Sequence, residues 1–407
     1  MASPLTDAHP VTASRLLILG SSLTALAVAR VAARSGYEVV MLDDRPGPAS
    51  ETRMARFRLL PSSDAHTVFE HVAEEARDRD AVLLADSDRW LRFLVPHFAE
   101  LEACGPVVLH PQPDAIATCL DKSEFLRWCE RQQLPAPRLY ESGRRAGRDL
   151  TFPLLIRPEA SLHAVPTSLP KAREVRDEAE LQHWLREFDA ARVTATVCES
   201  LVTPTVRQFS VGAGRSRQGE IEIFMAEKVR PLANRCAGGT FVRPADMPQV
   251  EALARETLDR LDYFGVAEVE ILHDPASGRM GLIEVNARPW LQFGLPYACG
   301  RDLIGHALGS ARAPCARSGR HAWLSFHADL LQCFSRSTGM YGRGEITAAG
   351  YLRSVLAADV YLLWDRADPA PFMRSTGRLF ARALRRVLRW RRDAAPVPPR
   401  PSRAKGP

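Results

Sequence analysis

Residues whose types and spacing could do chemistry crowd into one stretch of the chain. In Gly281-Leu-Ile-Glu-Val-Asn-Ala-Arg-Pro-Trp290, Glu284, Asn286 and Arg288 alternate, and alternate residues of a strand share a face. Upstream, Gly265-Val-Ala-Glu-Val-Glu-Ile-Leu-His-Asp274 places Glu270 on one face with Glu268 and Leu272. Residues 274–278 read as a turn, so the two segments can pair as a hairpin on which Glu270, Glu284 and Asn286 converge. Two carboxylates and an amide oxygen are hard donors suited to Mg2+ (or Mn2+) bound together with phosphate oxygens. Arg288 adds a planar cation that can grip phosphate bidentately. Ile283 and Val285 mark the strand as interior, where neighbouring acids are costly unless a cation or hydrogen bonds compensate them. The plain alternative is an exposed strand with scattered charges.

The elements that must position this hairpin follow two rhythms. In the first third, strands at 15–19, 37–42, 81–84 and 107–109 alternate with helical stretches at 22–34 and 66–77. That alternation implies a parallel sheet with crossover helices, an α/β Rossmann-like domain over residues 1–114 closed by Pro111-Gln112-Pro113. From 115 to about 310 the elements mix: helices at 122–132 and 248–261, strands at 154–156, 195–201, 208–213, 221–229, 267–272 and 280–285. This reads as an α+β nucleotide-binding domain, with a lid over about 120–200 and a metal-binding body over about 201–310. Residues 311–392 read as mostly helical, and 393–407, rich in Pro and Arg, as a disordered basic tail.

Composition sets the outer bounds. With 407 residues, 46% hydrophobic and 25% charged, the chain has the balance of a soluble protein of two or three domains. This balance argues against whole-chain disorder, a collagen-like repeat and a membrane bundle. The apolar stretch 16–33 is broken by Arg30 and runs into a second strand, so it reads as strand, turn and helix rather than a signal peptide. The net charge of +6 is concentrated: residues 378–407 carry +9, leaving −3 on the rest, which argues against a nucleic-acid-binding surface. Within 374–392, Leu379/Phe380, Ala383/Leu384 and Val387/Leu388 recur at helical spacing among arginines. That segment is either a terminal helix packed on the body or a contact for a membrane surface or acidic partner. Eight scattered cysteines lack CxxC or zinc-ligand spacing, as expected of reduced thiols in a cytoplasmic protein.

The hairpin and the segments before it resemble the ATP-grasp ligases. Asp121-Lys122-Ser123, opening a helix that ends near Leu134-Pro-Ala-Pro137, is similar to the entry into that family's nucleotide-binding domain. Phe152-Pro-Leu-Leu-Ile-Arg-Pro158 resembles the strand that normally ends in Lys-Pro. Val197-Cys-Glu-Ser-Leu-Val202 resembles the hinge beside adenine, and Ala237-Gly-Gly-Thr240 the loop before the long helix. These pieces come in the family's order across about residues 115–305.

The resemblance implies an ATP-dependent carboxylate–amine (or carboxylate–thiol) ligase acting through an acylphosphate on small-molecule substrates, with no nucleic acid, and with a homodimer as one assembly. It implies Lys122 and Arg157 at the ATP phosphates, Glu199, Ser200, Leu201 and Val202 around adenine, and Gln208 toward the ribose. Glu270, Glu284 and Asn286 would hold Mg2+, with Arg288 stabilising the transferred phosphoryl group. Lys228 and Arg230 either face the γ-phosphate or an acidic substrate, Lys228 then being catalytic, or are solvated strand charges. Arg157 stands where the family has lysine, and residues 159–165 lack the glycines that wrap phosphate. Those departures motivate a second reading, a non-catalytic ATP-binding regulator. A third, an NAD-dependent oxidoreductase, rests on Gly20-Ser-Ser22-Leu-Thr-Ala25 with Asp43, where Ser22 and Ala25 replace two of the fingerprint's glycines. The pocket at Gly20 reads as better suited to an acidic substrate than to a dinucleotide.

Overall fold

A computed structural model describes residues 14–77, 80–140, 150–159, 169–231, 238–310, 321–335 and 339–393. The N-terminal domain runs β1 (Arg15–Leu19), α1 (Leu23–Arg34), β2 (Glu38–Asp43), β3 (Arg56–Leu59), α2 (Ala65–Ala76), β4 (Ala81–Ala85), α3 (Asp88–Leu94), α4 (Phe98–Ala103) and β5 (Val107–Val108). Its sheet is parallel throughout, in the order β3-β2-β1-β4-β5. Leu16, Leu17, Ile18 and Leu19 are all buried, because crossover helices cover both faces and leave no polar side to alternate with. The turn after β1 requires glycine: Gly20 has φ +119°, and a Cβ there would lie 2.0 Å from Asp86 Oδ1. Ser22 then caps α1 through its hydroxyl, which accepts from the Thr24 and Ala25 amides. The strands and helices expected here are present within a residue or two. β3, α3 and α4 carry short or mixed patterns and were not foreseen.

The second unit comprises α5 (Pro113–Leu120), α6 (Lys122–Arg131), β6 (Leu139–Tyr140), β7 (Leu154–Pro158), β8 (Arg173–Val175), α7 (Glu178–Ala190) and β9 (Ala195–Glu199). Its antiparallel sheet has the order β6-β9-β7-β8 and a small core of its own, including Leu154, Ile156, Leu181 and Phe188.

The body follows: β10 (Arg207–Arg215), β11 (Ile221–Pro231), β12 (Gly239–Pro244), α8 (Pro248–Arg260), β13 (Gly265–Asp274), β14 (Arg279–Asn286), α9 (Gly294–Ala298) and α10 (Leu303–Ala307). The chain then continues through β15 (Trp323–Leu324), α11 (Phe326–Phe334), α12 (Ala348–Ala357), β16 (Val360–Tyr361) and α13 (Ala370–Asp393). Among the described residues the main sheet has seven strands, ordered β14-β13-β10-β11-β12-β15-β16. The expectation of a separate, mostly helical region over 311–392 is therefore corrected: β15 and β16 extend the body's sheet.

Beyond β16 the chain returns to the first domain. Asp368, fully buried, accepts from Arg30 Nε of α1 at 3.0 Å and from the Thr52 hydroxyl at 2.6 Å. Arg30 also donates to the carbonyls of Leu362, Leu363 and Asp368. The start of α13 packs on the body through Phe372, stacked on His327 at 5.3 Å, and pairs Arg378 with Glu51 of the first domain. The basic tail from 394 lies outside the described residues. No helix among the described residues is long and apolar enough to cross a membrane.

Candidate nucleotide and metal site

β13 and β14 pair antiparallel as expected, with Glu268 opposite Asn286 and Glu270 opposite Glu284. After Glu284 the register slips by one residue, so Ile283 is an extra residue on β14, a bulge that bends the strand. Arg157, at the end of β7 and buried, crosses from the lid to this bulge and reaches the Ile283 carbonyl at 3.5 Å. Its Nε is buried with no partner. Lys122 opens α6 as its first residue, behind the Asp121 cap, and brings its ammonium to within 3.9 Å of Glu284 Oε2. Both cations therefore come from the lid to the same two-residue stretch of the body.

Beneath Glu284 lies a buried polar network. Lys228 Nζ sits 2.6 Å from Glu270 Oε1 and 3.6 Å from Glu268 Oε1. Gln208 Nε2 donates to Glu270 Oε2 at 2.8 Å, Asn286 Nδ2 donates to Glu268 Oε2 at 2.9 Å, and the Ser210 hydroxyl donates to Glu268. Burial opposes the charge on Lys228, but Glu270 and then Glu268 outweigh it and raise its pKa. Arg288 donates from Nε to Asp88 Oδ1 at 2.7 Å and from a terminal nitrogen to Asn286 Oδ1 at 3.3 Å. Asp88 opens α3 of the first domain, so that domain holds the arginine beside Asn286 at the end of β14.

Several expected roles change on this geometry. Neither Lys228 nor Arg230 is solvated. Lys228 is committed to the two glutamates, and Arg230 to a bidentate pair with buried Asp329, so Arg230 does not face the cleft. Gln208 lies against Glu270 rather than toward a ribose, and its Oε1 is buried with no partner. Both oxygens of Glu270 are engaged, so it does not form one open set with Glu284 and Asn286. At the hinge, Glu199 takes Arg279 on both oxygens (2.5 and 2.7 Å), and that guanidinium chiefly lowers its pKa. Ser200 donates to Glu174 at 2.9 Å. Leu201 lies over β14 so closely that a Cβ on Gly281 would meet its Cδ1 at 2.3 Å. Val202 turns its amide to the Ser200 hydroxyl. Trp290, which follows the β14 segment, is buried against Gly212 and Phe293. Residues 160–168, which include most of the glycine-poor loop, and 232–237, which include Ala237, lie outside the described residues.

The turn at Gly20 is lined with acid. Ser21 donates to Asp43 Oδ2 at 2.7 Å, Asp86 Oδ2 accepts the Ser22 amide, and Arg89 is shared between Asp43 and Asp44. Asp86 Oδ1 is buried with no partner, and burial pushes the Asp43 carboxyl up. A pyrophosphate or an acidic substrate would face these carboxylates. Both the dinucleotide reading and the acidic-substrate reading of this pocket are corrected.

Two residues that position the site had no signal in the sequence. One is Asp88. The other is His110, whose Nε2 accepts the Ala85 amide at 2.7 Å while Nδ1 meets the Ala287 carbonyl at 3.0 Å. It staples β4 to the end of β14 and must stay neutral to do so. Burial, only partly offset by the Ala287 carbonyl, pushes its pKa down from 6.5 to about 4. Between those values the unfolded chain binds a proton that the folded chain refuses, so stability falls as pH drops through that window. At pH 4.5 the wild type should lose about 2–3 kcal/mol relative to pH 7 through this residue. Urea midpoints of wild type and His110→Gln across pH 4.5–7 test it, since the variant should lose that much less; parallel pH profiles would disprove it.

Can these residues hold a nucleotide and a divalent ion? Among the described residues no group of three or more His, Cys, Asp or Glu is disposed to hold a metal by itself. Mg2+ at phosphoryl-transfer sites, however, usually takes one or two carboxylates and completes its shell with water and substrate phosphates. Glu284 and the Asn286 amide oxygen supply such donors, and the unpartnered Arg157 Nε and the nearby Lys122 supply cationic donors. The chemistry of the set fits.

The chain matches no family model. It is 28% identical over 187 residues to the N5-carboxyaminoimidazole ribonucleotide synthase of Synechococcus elongatus, a stretch covering 44% of this chain and 45% of that protein. The chain thus matches about half the length of this relative. Among solved structures it resembles an ADP complex of N5-carboxyaminoimidazole ribonucleotide synthetase (TM-score 0.57, 18% identity, 73% of this chain and 76% of that one). It also resembles the biotin carboxylase domain of Hydrogenobacter thermophilus 2-oxoglutarate carboxylase, solved with MgADP, ADP and bicarbonate (TM-score 0.55, 13% identity, 75% and 71%). The parallel N-terminal sheet and the body with its β13–β14 hairpin thus share the ATP-grasp fold with these structures.

Proposed function

We propose that the protein is an ATP-dependent ligase that joins a carboxylate, or bicarbonate, to an amine. The observation that carries this reading is the meeting of Lys122 and Arg157 from the lid with Glu284 on β14. Cations from one unit and a carboxylate from another meet where a triphosphate and its metal would lie between them. The matched relative is named as a synthase, and one structural neighbour was solved with MgADP and bicarbonate; both agree with this assignment.

In this reading Lys122 and Arg157 bind the phosphates, and the segment Glu199–Ser200–Leu201–Val202 lines the adenine. Glu284 and Asn286, backed by Glu270, hold Mg2+, which when bound offsets phosphate charge and orients the γ-phosphoryl group. An oxygen of the acid attacks the γ-phosphorus and ADP leaves. The amine then attacks the resulting acylphosphate carbonyl, and phosphate and a proton are released. Arg288 is fixed by Asp88 before substrate arrives, so stabilising negative charge costs it little reorganisation. The chain's own part is positioning and charge neutralisation; no nucleophilic serine or cysteine is required.

Titration of ATP with Mg2+ into wild type and Glu284→Gln tests the assignment. Wild type should bind ATP only with the metal, and the variant should bind it about 10–100-fold more weakly while remaining folded. An ADP-release screen over small acids and amines would then give the substrates. Equal affinity of the two proteins would overturn the assignment, and tight Mg·ATP binding without ADP release for any acid–amine pair would favour the non-catalytic regulator.

A further inference from the structure

The acidic face of the β13–β14 hairpin carries three glutamates at directly paired or alternate positions, and two of them already share one ammonium. Lys228 enters from β11, two strands away from β13, and its side chain is 2% exposed. Its ammonium lies between Glu270 Oε1 at 2.6 Å and Glu268 Oε1 at 3.6 Å. Every oxygen of those two carboxylates has a partner: Glu268 also receives Ser210 and Asn286, and Glu270 also receives Gln208. Glu284 differs. Its side chain is 27% exposed, and the nearest cation, Lys122, stands off at 3.9 Å.

We infer that Lys228 is a resident cation, a side chain that does the charge work of a metal ion on the inner half of this site, so that the site binds a single divalent ion with its nucleotide, at Glu284. This rests on the nucleotide–metal reading above and deepens it. Two buried carboxylates side by side repel each other and lose their hydration. Without a cation between them they would force protonation or unfolding. An ammonium with three donors, held on a strand of the same sheet, meets that need permanently. A divalent ion does so only when it is bound. For an ion to enter the inner position it would have to displace Lys228 from Glu270 and strand a buried ammonium, so the inner position is closed to it. Glu284 and the Asn286 oxygen, at the open end, keep their capacity for an ion that brings phosphate oxygens with it.

Two measurements test this. In the first, MnCl2 is titrated into wild type saturated with a non-hydrolysable ATP analogue, and free Mn2+ is followed by electron paramagnetic resonance. One bound ion per chain supports the inference. Two bound ions overturn it while leaving the nucleotide–metal reading intact, and none overturns both. In the second, thermal unfolding is followed in EDTA and in MgCl2 without nucleotide. Lys228→Met should unfold at least about 5 °C below wild type in EDTA. Part of that loss should return with MgCl2, which does little for wild type, because the ion can now reach the vacated position. If Lys228→Met proves too unstable to purify, Lys228→Met/Glu268→Gln removes one acid together with the lysine and should unfold closer to wild type in EDTA. A Lys228→Met protein as stable as wild type in EDTA, or a double variant no better than the single one, would overturn the inference.

Discussion

Replacing Asp368 with alanine should destabilise the protein by about 3–5 kcal/mol, the cost of leaving a buried ionic partner alone. Asp368 is fully buried, with Arg30, the Thr52 hydroxyl and the Arg53 amide all directed at it. Removing the carboxylate leaves the Arg30 guanidinium in a low-dielectric pocket bonded to carbonyl oxygens, with Asp365 its remaining nearby acid. Burial already lowers the pKa of Arg30, with Asp368 supplying the largest opposing effect. The double replacement Arg30→Met/Asp368→Leu should cost less than the single one, because it removes both charges together. Urea midpoints of the three proteins decide the matter; a loss under about 1 kcal/mol for Asp368→Ala would show that water enters to solvate the arginine.

Arg288→Ala should lower kcat for ADP release by about 10²–10³-fold, the usual cost of removing one preorganised donor from a developing charge, with KM for ATP nearly unchanged. The argument is geometric. Arg288 is held at 2.7 Å by Asp88 from another domain and at 3.3 Å by the Asn286 oxygen, so in the proposed function it sits at the end of β14 assigned to the metal. Asp88→Asn should give a smaller loss, since the guanidinium stays but is less firmly held. A rise in KM for ATP without loss of kcat would show instead that Arg288 serves ground-state nucleotide binding.

The hairpin was legible in the sequence because its period of two, its turn and its acid positions lie within about twenty-five consecutive residues. The turn's register alone would set Glu270 opposite Ile283, and the bulge there, which no local pattern marks, is what brings Glu270 opposite Glu284. What the sequence concealed depends on strands meeting across large separations. Nothing local marks Lys228 as the partner of Glu270, or Asp88 as the partner of Arg288. The ribose role expected of Gln208 failed on this account: β10 lies beside β13, and the amide found a carboxylate there. The C-terminal region was read as helical because β15 and β16 have two residues each, too few to show any period.

The Arg30–Asp368 contact joins residues 338 positions apart, and this orders events during synthesis. All strands of the N-terminal sheet lie before residue 109, so that domain can begin folding while the rest of the chain is still emerging. Its first helix, however, carries an arginine whose buried partners are made only after residue 361. Until then the α1 face that receives the strap of residues 362–368 cannot close over a naked charge and must stay hydrated. Final locking of the first domain is therefore coupled to completion of the last strands of the body's sheet. The molecule gains a checkpoint of high contact order: a chain truncated before the strap would keep its parallel sheet but leave one helix face open to water.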